Sequence, residues 1–234
     1  MTAIVVFGYK RELTACLDAI KTDLPVEIFM DKANLGLKSA ILRGMNWMFE
    51  KYDSVIVIED DVIISPDFIE YMLEGLDFYK DKKDIGSITG WTPIETEGVY
   101  ASGRPASWGW GTWKDRWDKF DPDFRGSLKG FDAWGEDMPV MLKKALSGKL
   151  DTWDIQWGYF HHINGLKCIH PPHSKVKNIG LNDGTHFKGK NIKGTEAKTG
   201  KVNFYYPVEF DEEIRLRFRH KQSFIRKIIN LRYR

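Results

Sequence analysis

With 234 residues, 42% hydrophobic and 14% aromatic, the chain can bury one globular core, alone or with an appended subdomain, and no long segment has the composition of disorder. No apolar run approaches the ~18 residues of a transmembrane helix, and the two cysteines, Cys16 and Cys168, make neither a disulfide framework nor a zinc site. The net charge of +2 is uneven: Ile214 to Arg234 holds eight Lys/Arg and no Asp/Glu, leaving 27 Lys/Arg against 33 Asp/Glu elsewhere, a mildly acidic body with a basic tail.

The opening apolar run is too short for a signal peptide and reads as a first strand over residues 3–8. A loop through Lys10 and Arg11 follows, then a helix with Leu13, Cys16, Leu17 and Ile20 at helical spacing. Pro25 to Met30 is the second strand, ending at Asp31. Asn34-Leu35-Gly36-Leu37 turns into a second helix with an Ile41, Met45, Met48, Phe49 stripe. Val55 to Ile58 is an uninterrupted apolar run, suited to a strand covered on both faces. It ends in Glu59-Asp60-Asp61, and Val62-Ile63-Ile64 follows. Three carboxylates between two hydrophobic runs call for a partner, and a divalent cation carrying a phosphate fits. Open α/β sheets bind ligands at such strand ends; the plainer alternative is an acidic turn. Pro66-Asp67 opens another helix, with Ser65 as its cap, and Ile85 to Gly90 is a fourth strand. This β-α-β order predicts a parallel, doubly wound α/β sheet.

After Gly90 the composition changes: eight of the nine tryptophans lie between Trp91 and Trp157. Any one of them reads as core packing; the cluster, with Trp108-Gly109-Trp110 at its centre, points to a sugar site nearby. Phe131 to Leu146 looks helical, and Asp151 or Thr152 caps a helix that runs through Trp157. Cys168 to His170 is a short strand ended by prolines. Asn178 to Phe187 is a polar loop, 188–201 reads as a mobile lid, and Asn203 to Pro207 returns to extended chain. From Asp211 a basic helix is expected. Its charge suits an anionic membrane surface or polyanionic substrate, against a solvated helix packed on the body. No nucleic-acid-reading motif accompanies the charge.

The chain resembles the GT-A-fold glycosyltransferases over roughly residues 3–187. Within them it is similar to the N-acetylglucosaminyltransferase that starts hybrid and complex N-glycans, and to related bacterial sugar transferases. The motif is Ser54 to Tyr71, with the Trp108-Gly109-Trp110 block and Trp153-Asp154 fitting the same pattern. The resemblance implies a Rossmann-like, mostly parallel sheet with an appended Trp-rich acceptor half. Three parts are then expected: a nucleotide-sugar half (1–130), an acceptor half with a loop (131–210) and the basic helix (211–234). It implies Asp61 as ligand to Mn²⁺ or Mg²⁺, Asp60 and Glu59 on the donor, Asp31 on uracil, and Lys10 or Arg11 on base or phosphate. Trp110 would belong to the donor site. Asp154 would be the catalytic base, with helix capping or an ion pair as the alternative, and a single base implies inversion. His186 is a second metal or diphosphate candidate, against a surface histidine; the other histidines read as structural.

The expected activity is metal-dependent transfer from a UDP-sugar, with UDP-N-acetylglucosamine as a candidate, to a glycan or lipid-linked acceptor in surface polysaccharide synthesis. A cytoplasmic enzyme of bacterial type, peripheral at the inner face of a membrane through residues 214–234, is the matching location. Two alternatives stand beside it. A sugar-1-phosphate nucleotidyltransferase would need a Gly-rich loop after strand one, where this chain has only one glycine. A carbohydrate-binding module would use the tryptophans and have no need of the acids.

Overall fold

The computed structural model describes residues 4–9, 26–31, 33–179 and 196–220; for 4–9 and 26–31 it describes the backbone, and the side chain of Glu27 alone. Two strands open it, β1 (Ile4–Tyr9) and β2 (Val26–Asp31), paired in parallel with Tyr9 opposite Asp31. Helix α1 (Leu37–Phe49) follows a turn in which Gly36 takes φ +78, a conformation that suits glycine. Then come β3 (Ser54–Val57), β4 (Val62–Ile64), α2 (Phe68–Tyr79), β5 (Ile85–Thr89), β6 (Tyr100–Ser102) and β7 (Trp110–Trp113). The short α3 (Lys114–Trp117), α4 (Met138–Leu146), α5 (Asp154–Ile163), β8 (Lys167–His170) and β9 (Val176–Asn178) complete the named elements, and residues 212–220 form a C-terminal helix.

The fold is mixed α/β. Its main sheet has five strands in the order β3-β7-β5-β8-β6. Only β5 and β8 pair in parallel there; β7 runs antiparallel between β3 and β5, and β6 antiparallel beside β8. The expected mostly parallel sheet is thus corrected to a mixed one, because β3 and β5 point the same way but are separated by the reversed β7. A second small sheet pairs β4 with β9.

Alternation along the strands divides the core into two layers. Val55 of β3 and Trp110 of β7 face a cluster with Met45, Met48 and Phe49 of α1 and Trp153, Trp157 and Phe160 of α5. Gly111 faces the other way, where an added Cβ would lie 2.9 Å from Met72 of α2. Trp113 and Ile56 join that second layer, with Phe68, Met72, Leu76, Ile85 and Ile88. Both layers draw residues from either side of position 130.

Several local expectations change. Residues 131–137 are turns, so α4 starts at Met138. The helix α2 starts at Phe68 with Asp67 at the cap position, and Ser65 donates instead to the Asp67 carboxylate at 2.6 Å. Asp151 and Thr152 do not cap α5, which begins at Asp154 behind Trp153. The stretch 196–201, expected to be mobile, is tied down: Lys177 pairs with Glu196 at 2.8 Å, and Lys198 N–H donates to the Ser174 carbonyl at 2.8 Å. Asp67 accepts the Gly200 N–H at 2.9 Å and the fully buried Lys175 ammonium at 2.7 Å. Residues 188–195, like the expected first helix, lie outside the described residues.

Candidate active site

The ends of β3, β5 and β8 and the start of β7 meet at one edge of the main sheet. Gly109 takes φ +58 there, and a Cβ on it would strike Phe68 at 2.8 Å, so the turn before β7 requires glycine. The Gly90 N–H donates to the Gly109 carbonyl at 2.6 Å, and the Lys175 N–H donates to the Gly90 carbonyl at 2.7 Å. Glu59-Asp60-Asp61 leave β3 at this edge as a tight turn, closed by the Val62 N–H donating to the Glu59 carbonyl at 3.1 Å.

The three acids differ. Asp60 is exposed, whereas Glu59 and Asp61 are half-buried. The β4–β9 pairing sets Val62 opposite Asn178, which brings the Asn178 amide to Asp61 Oδ2 at 3.2 Å. The Ile179 N–H donates to the Asp61 carbonyl at 2.8 Å. Asp61 Oδ1 is buried and has no hydrogen-bond partner among the described residues. Burial raises the Asp61 carboxyl above its ordinary value; the Asn178 amide opposes this and the charge of Asp60 adds to it. Burial pushes Glu59 further, to about 8, with the charges of Asp61, Asp154 and Asp60 all adding. Asp154, the first residue of α5, is thus brought within electrostatic reach of the acids that end β3.

Asp154 is itself held. Its Oδ1 accepts the Ile155 N–H at 2.7 Å and the hydroxyl of Thr152. The turn before it is anchored on both sides. Asp151 accepts the N–H groups of Leu37 and Lys38 at 2.8 and 3.1 Å, so it caps α1 and not its own helix. Trp153 stacks on Trp110 with centroids 4.7 Å apart.

Trp110 is corrected from donor contact to core. It is 1% exposed, paired through β7 with Val57, and surrounded by Trp117, Trp153 and Trp157. Six other tryptophans from Trp91 to Trp157 are buried too, Trp91, Trp113 and Trp134 in one core layer and Trp117, Trp153 and Trp157 in the other. Trp108 alone in that stretch keeps a partly open ring, braced edge-on by Trp91 at 5.1 Å. His161 and His170 are fully buried, which pushes both well below the usual imidazole range, to about 3 and about 4.

Asp31 ends β2, and its side chain is outside the described residues, as are Lys10, Arg11 and His186. Asn178 and Thr152 are contacts that sequence reasoning missed: Asn178 lies in strand β9 rather than a loop, and Thr152 bonds Asp154 rather than capping the helix. Among the described residues, no three His, Cys, Asp or Glu side chains converge on one metal position. The orphaned Asp61 oxygen and its acidic neighbours nevertheless fit a hard divalent cation of the kind bound through one or two carboxylates, with a ligand's phosphates and water completing its shell. Compared with protein-family models and with curated proteins, the chain matches none.

Proposed function

We propose that the chain is a GT-A-fold, metal-dependent glycosyltransferase. It moves a sugar with inversion from a UDP-sugar, UDP-N-acetylglucosamine being the donor to try first, to a glycan or lipid-linked oligosaccharide in surface polysaccharide synthesis. One observation carries the reading: Glu59 and Asp61, at the end of a core strand, form a half-buried acidic site that feels the charge of Asp154 from a different element. The burial of Glu59 and Asp61 with other acids within electrostatic reach disfavours the metal-free state, and that cost supports reading the site as one kept for binding. The reversed β7 inside the main sheet and the small β4–β9 sheet that follows Asp61 are compatible with the GT-A architecture.

Asp61 would hold Mn²⁺ or Mg²⁺, with Glu59 and Asp60 on the donor. When bound, the cation supplies Lewis-acid stabilisation of the charge that develops on the departing diphosphate. Asp154 takes the proton of the attacking hydroxyl, whose oxygen bonds to the anomeric carbon on the face opposite the diphosphate. Trp108 offers its open ring to the acceptor sugar, since sugar C–H faces stack on aromatic rings. Roles for Asp31 on uracil, Lys10 or Arg11 on base or phosphate, and His186 on the metal rest on the resemblance. With seven of its eight clustered tryptophans buried, the chain offers little to a carbohydrate-binding module.

Among the described residues, no helix is long and apolar enough to cross a membrane. The described part of the basic tail is docked. Phe218 is fully buried, and Arg215, Arg217 and Arg219 reach the Ala133 carbonyl, the Glu95 carbonyl and the Glu136 carboxylate at 2.8, 3.0 and 3.1 Å. Attraction to an anionic, lipid-linked acceptor at the cytoplasmic face of a membrane would then fall to Lys221, Arg226, Lys227, Arg232 and Arg234.

A thermal-shift screen of nucleotides and free sugars, with and without Mn²⁺, followed by a donor panel with product analysis, tests the reading. Metal-dependent stabilisation by UDP, lost in Asp61→Ala, is expected. Asp154→Asn should bind donor and transfer about 10²–10⁴-fold more slowly. Stabilisation by free sugars alone, or full transfer by Asp154→Asn, would overturn it.

A further inference from the structure

We propose that Thr152 is a positioning residue for Asp154, fixing one carboxylate oxygen so that the other takes the acceptor proton. The inference rests on the reading of Asp154 as the base.

The placement of Thr152 has no explanation in helix capping. Helix α5 has Trp153 at its cap position and no side-chain cap bond, so the Thr152 hydroxyl serves none of the orphan N–H groups of that helix. It donates to Asp154 Oδ1, the same oxygen that accepts the Ile155 N–H at 2.7 Å. Two donors on one oxygen define the plane of the carboxyl group. Among the described residues Oδ2 accepts no hydrogen bond, which leaves it for the hydroxyl that attacks. The proton then goes to Oδ2, the hydroxyl oxygen bonds to the anomeric carbon, and the electron pair of the broken carbon–oxygen bond leaves on the diphosphate.

Thr152 can orient its neighbour because it is itself immobilised. It is buried, and its β-branched side chain has few rotamers. Asp151 on one side is bound to the N-terminus of α1, and Trp153 on the other is 2% exposed and stacked on Trp110. The turn thus transmits the position of the core to the carboxylate, which is how a site reaches the geometry that proton transfer needs.

Thr152→Val keeps the shape and removes the donor; Thr152→Ser keeps the donor. Both are compared with Asp154→Asn and with the double variant Thr152→Val/Asp154→Asn, by single-turnover transfer and by metal-dependent UDP stabilisation of the full chain. Thr152→Val should lower kcat about 10-fold or more, part of the ~10²–10⁴ that a general base supplies, with donor KM and UDP stabilisation unchanged. Thr152→Ser should restore kcat to within about 3-fold, and the double variant should be no slower than Asp154→Asn, since both changes act through one group. A wild-type kcat in Thr152→Val, equal damage in Thr152→Ser, or an additive double variant overturns the positioning role alone. Full transfer by Asp154→Asn, or no transfer by the unmodified chain, overturns the underlying reading and this inference with it.

Discussion

Replacing Glu59 by glutamine should make the metal-free protein more stable, and the gain should grow with pH. Glu59 titrates near 4.5 when unperturbed and near 8 in the fold, where burial leads and the charges of Asp61, Asp154 and Asp60 follow. Between those two values the unfolded chain has given up a proton that the folded chain retains. Stability therefore falls as pH rises through that window. The difference corresponds to a ceiling of about 5 kcal/mol above pH ~8, and to about 3 kcal/mol at pH ~7. Glutamine has the same shape and no charge, so it removes this penalty. Urea unfolding at pH ~5, ~7 and ~8.5 measures it directly. The midpoints of the two proteins should nearly coincide at the lowest pH and separate as pH rises, with the variant more stable. Adding Mn²⁺ and UDP should shift the balance back toward the wild type. Equal pH slopes, or a wild type more stable than the variant at the highest pH, would refute the claim that burial, with the acidic neighbours, holds Glu59 protonated.

Three further outcomes are expected. Asp151→Ala should lower stability by about 1–2 kcal/mol, as loss of a helix cap does, and hydrogen exchange at Leu37 and Lys38 should accelerate; unchanged protection there would remove the cap. Lys175→Met should cost about 3–5 kcal/mol by stranding the Asp67 carboxylate, and pairing it with Asp67→Asn should recover part of the loss in a double-mutant cycle. Burial alone would raise Asp67, but Gly200 N–H, Lys175 and Ser65 outweigh it and bring it to about 2; its contribution should therefore fade as pH drops from its ordinary range toward that value. Trp110→Ala should destabilise by about 3–5 kcal/mol through a core cavity, with donor KM unchanged in the folded protein; a selective rise in KM would return Trp110 to the donor site.

The acidic turn was legible because its signals are local: an apolar run, three acids and a second apolar run within a dozen residues. The helix α1 was legible for the same reason, its Met45, Met48 and Phe49 lying on one face as their spacing implied. Sheet order was not, since it turns on where residues 110–113 pair, and nothing near them in the chain says that they separate β3 from β5. Read singly, the tryptophans are core as expected, but density along a chain does not report direction: alternation sends Trp110 into one layer and Trp113 into the other, and leaves Trp108 as the one partly open ring of the cluster. Asp151 looked like a cap for the helix beside it, yet it serves one 113 and 114 residues away. Asn178 reached Asp61 through the β4–β9 register, a pairing that neither three-residue strand announces.

The reversed β7 also sets an order on the birth of the molecule. At ~5–20 residues added per second, β3 waits on the order of 3–10 s for the strand that pairs with it, and Asp61 waits longer still for Asn178. Among the described residues β3 pairs with β7 alone, so through that interval an apolar strand is open to pairing with the wrong chain. Its C-terminal end carries Glu59, Asp60 and Asp61, and charge at the end of such a segment discourages edge-to-edge association. The same carboxylates that burden the finished fold thus guard the nascent chain, so a variant neutralised at all three should be more stable once folded and yet give more aggregate during synthesis.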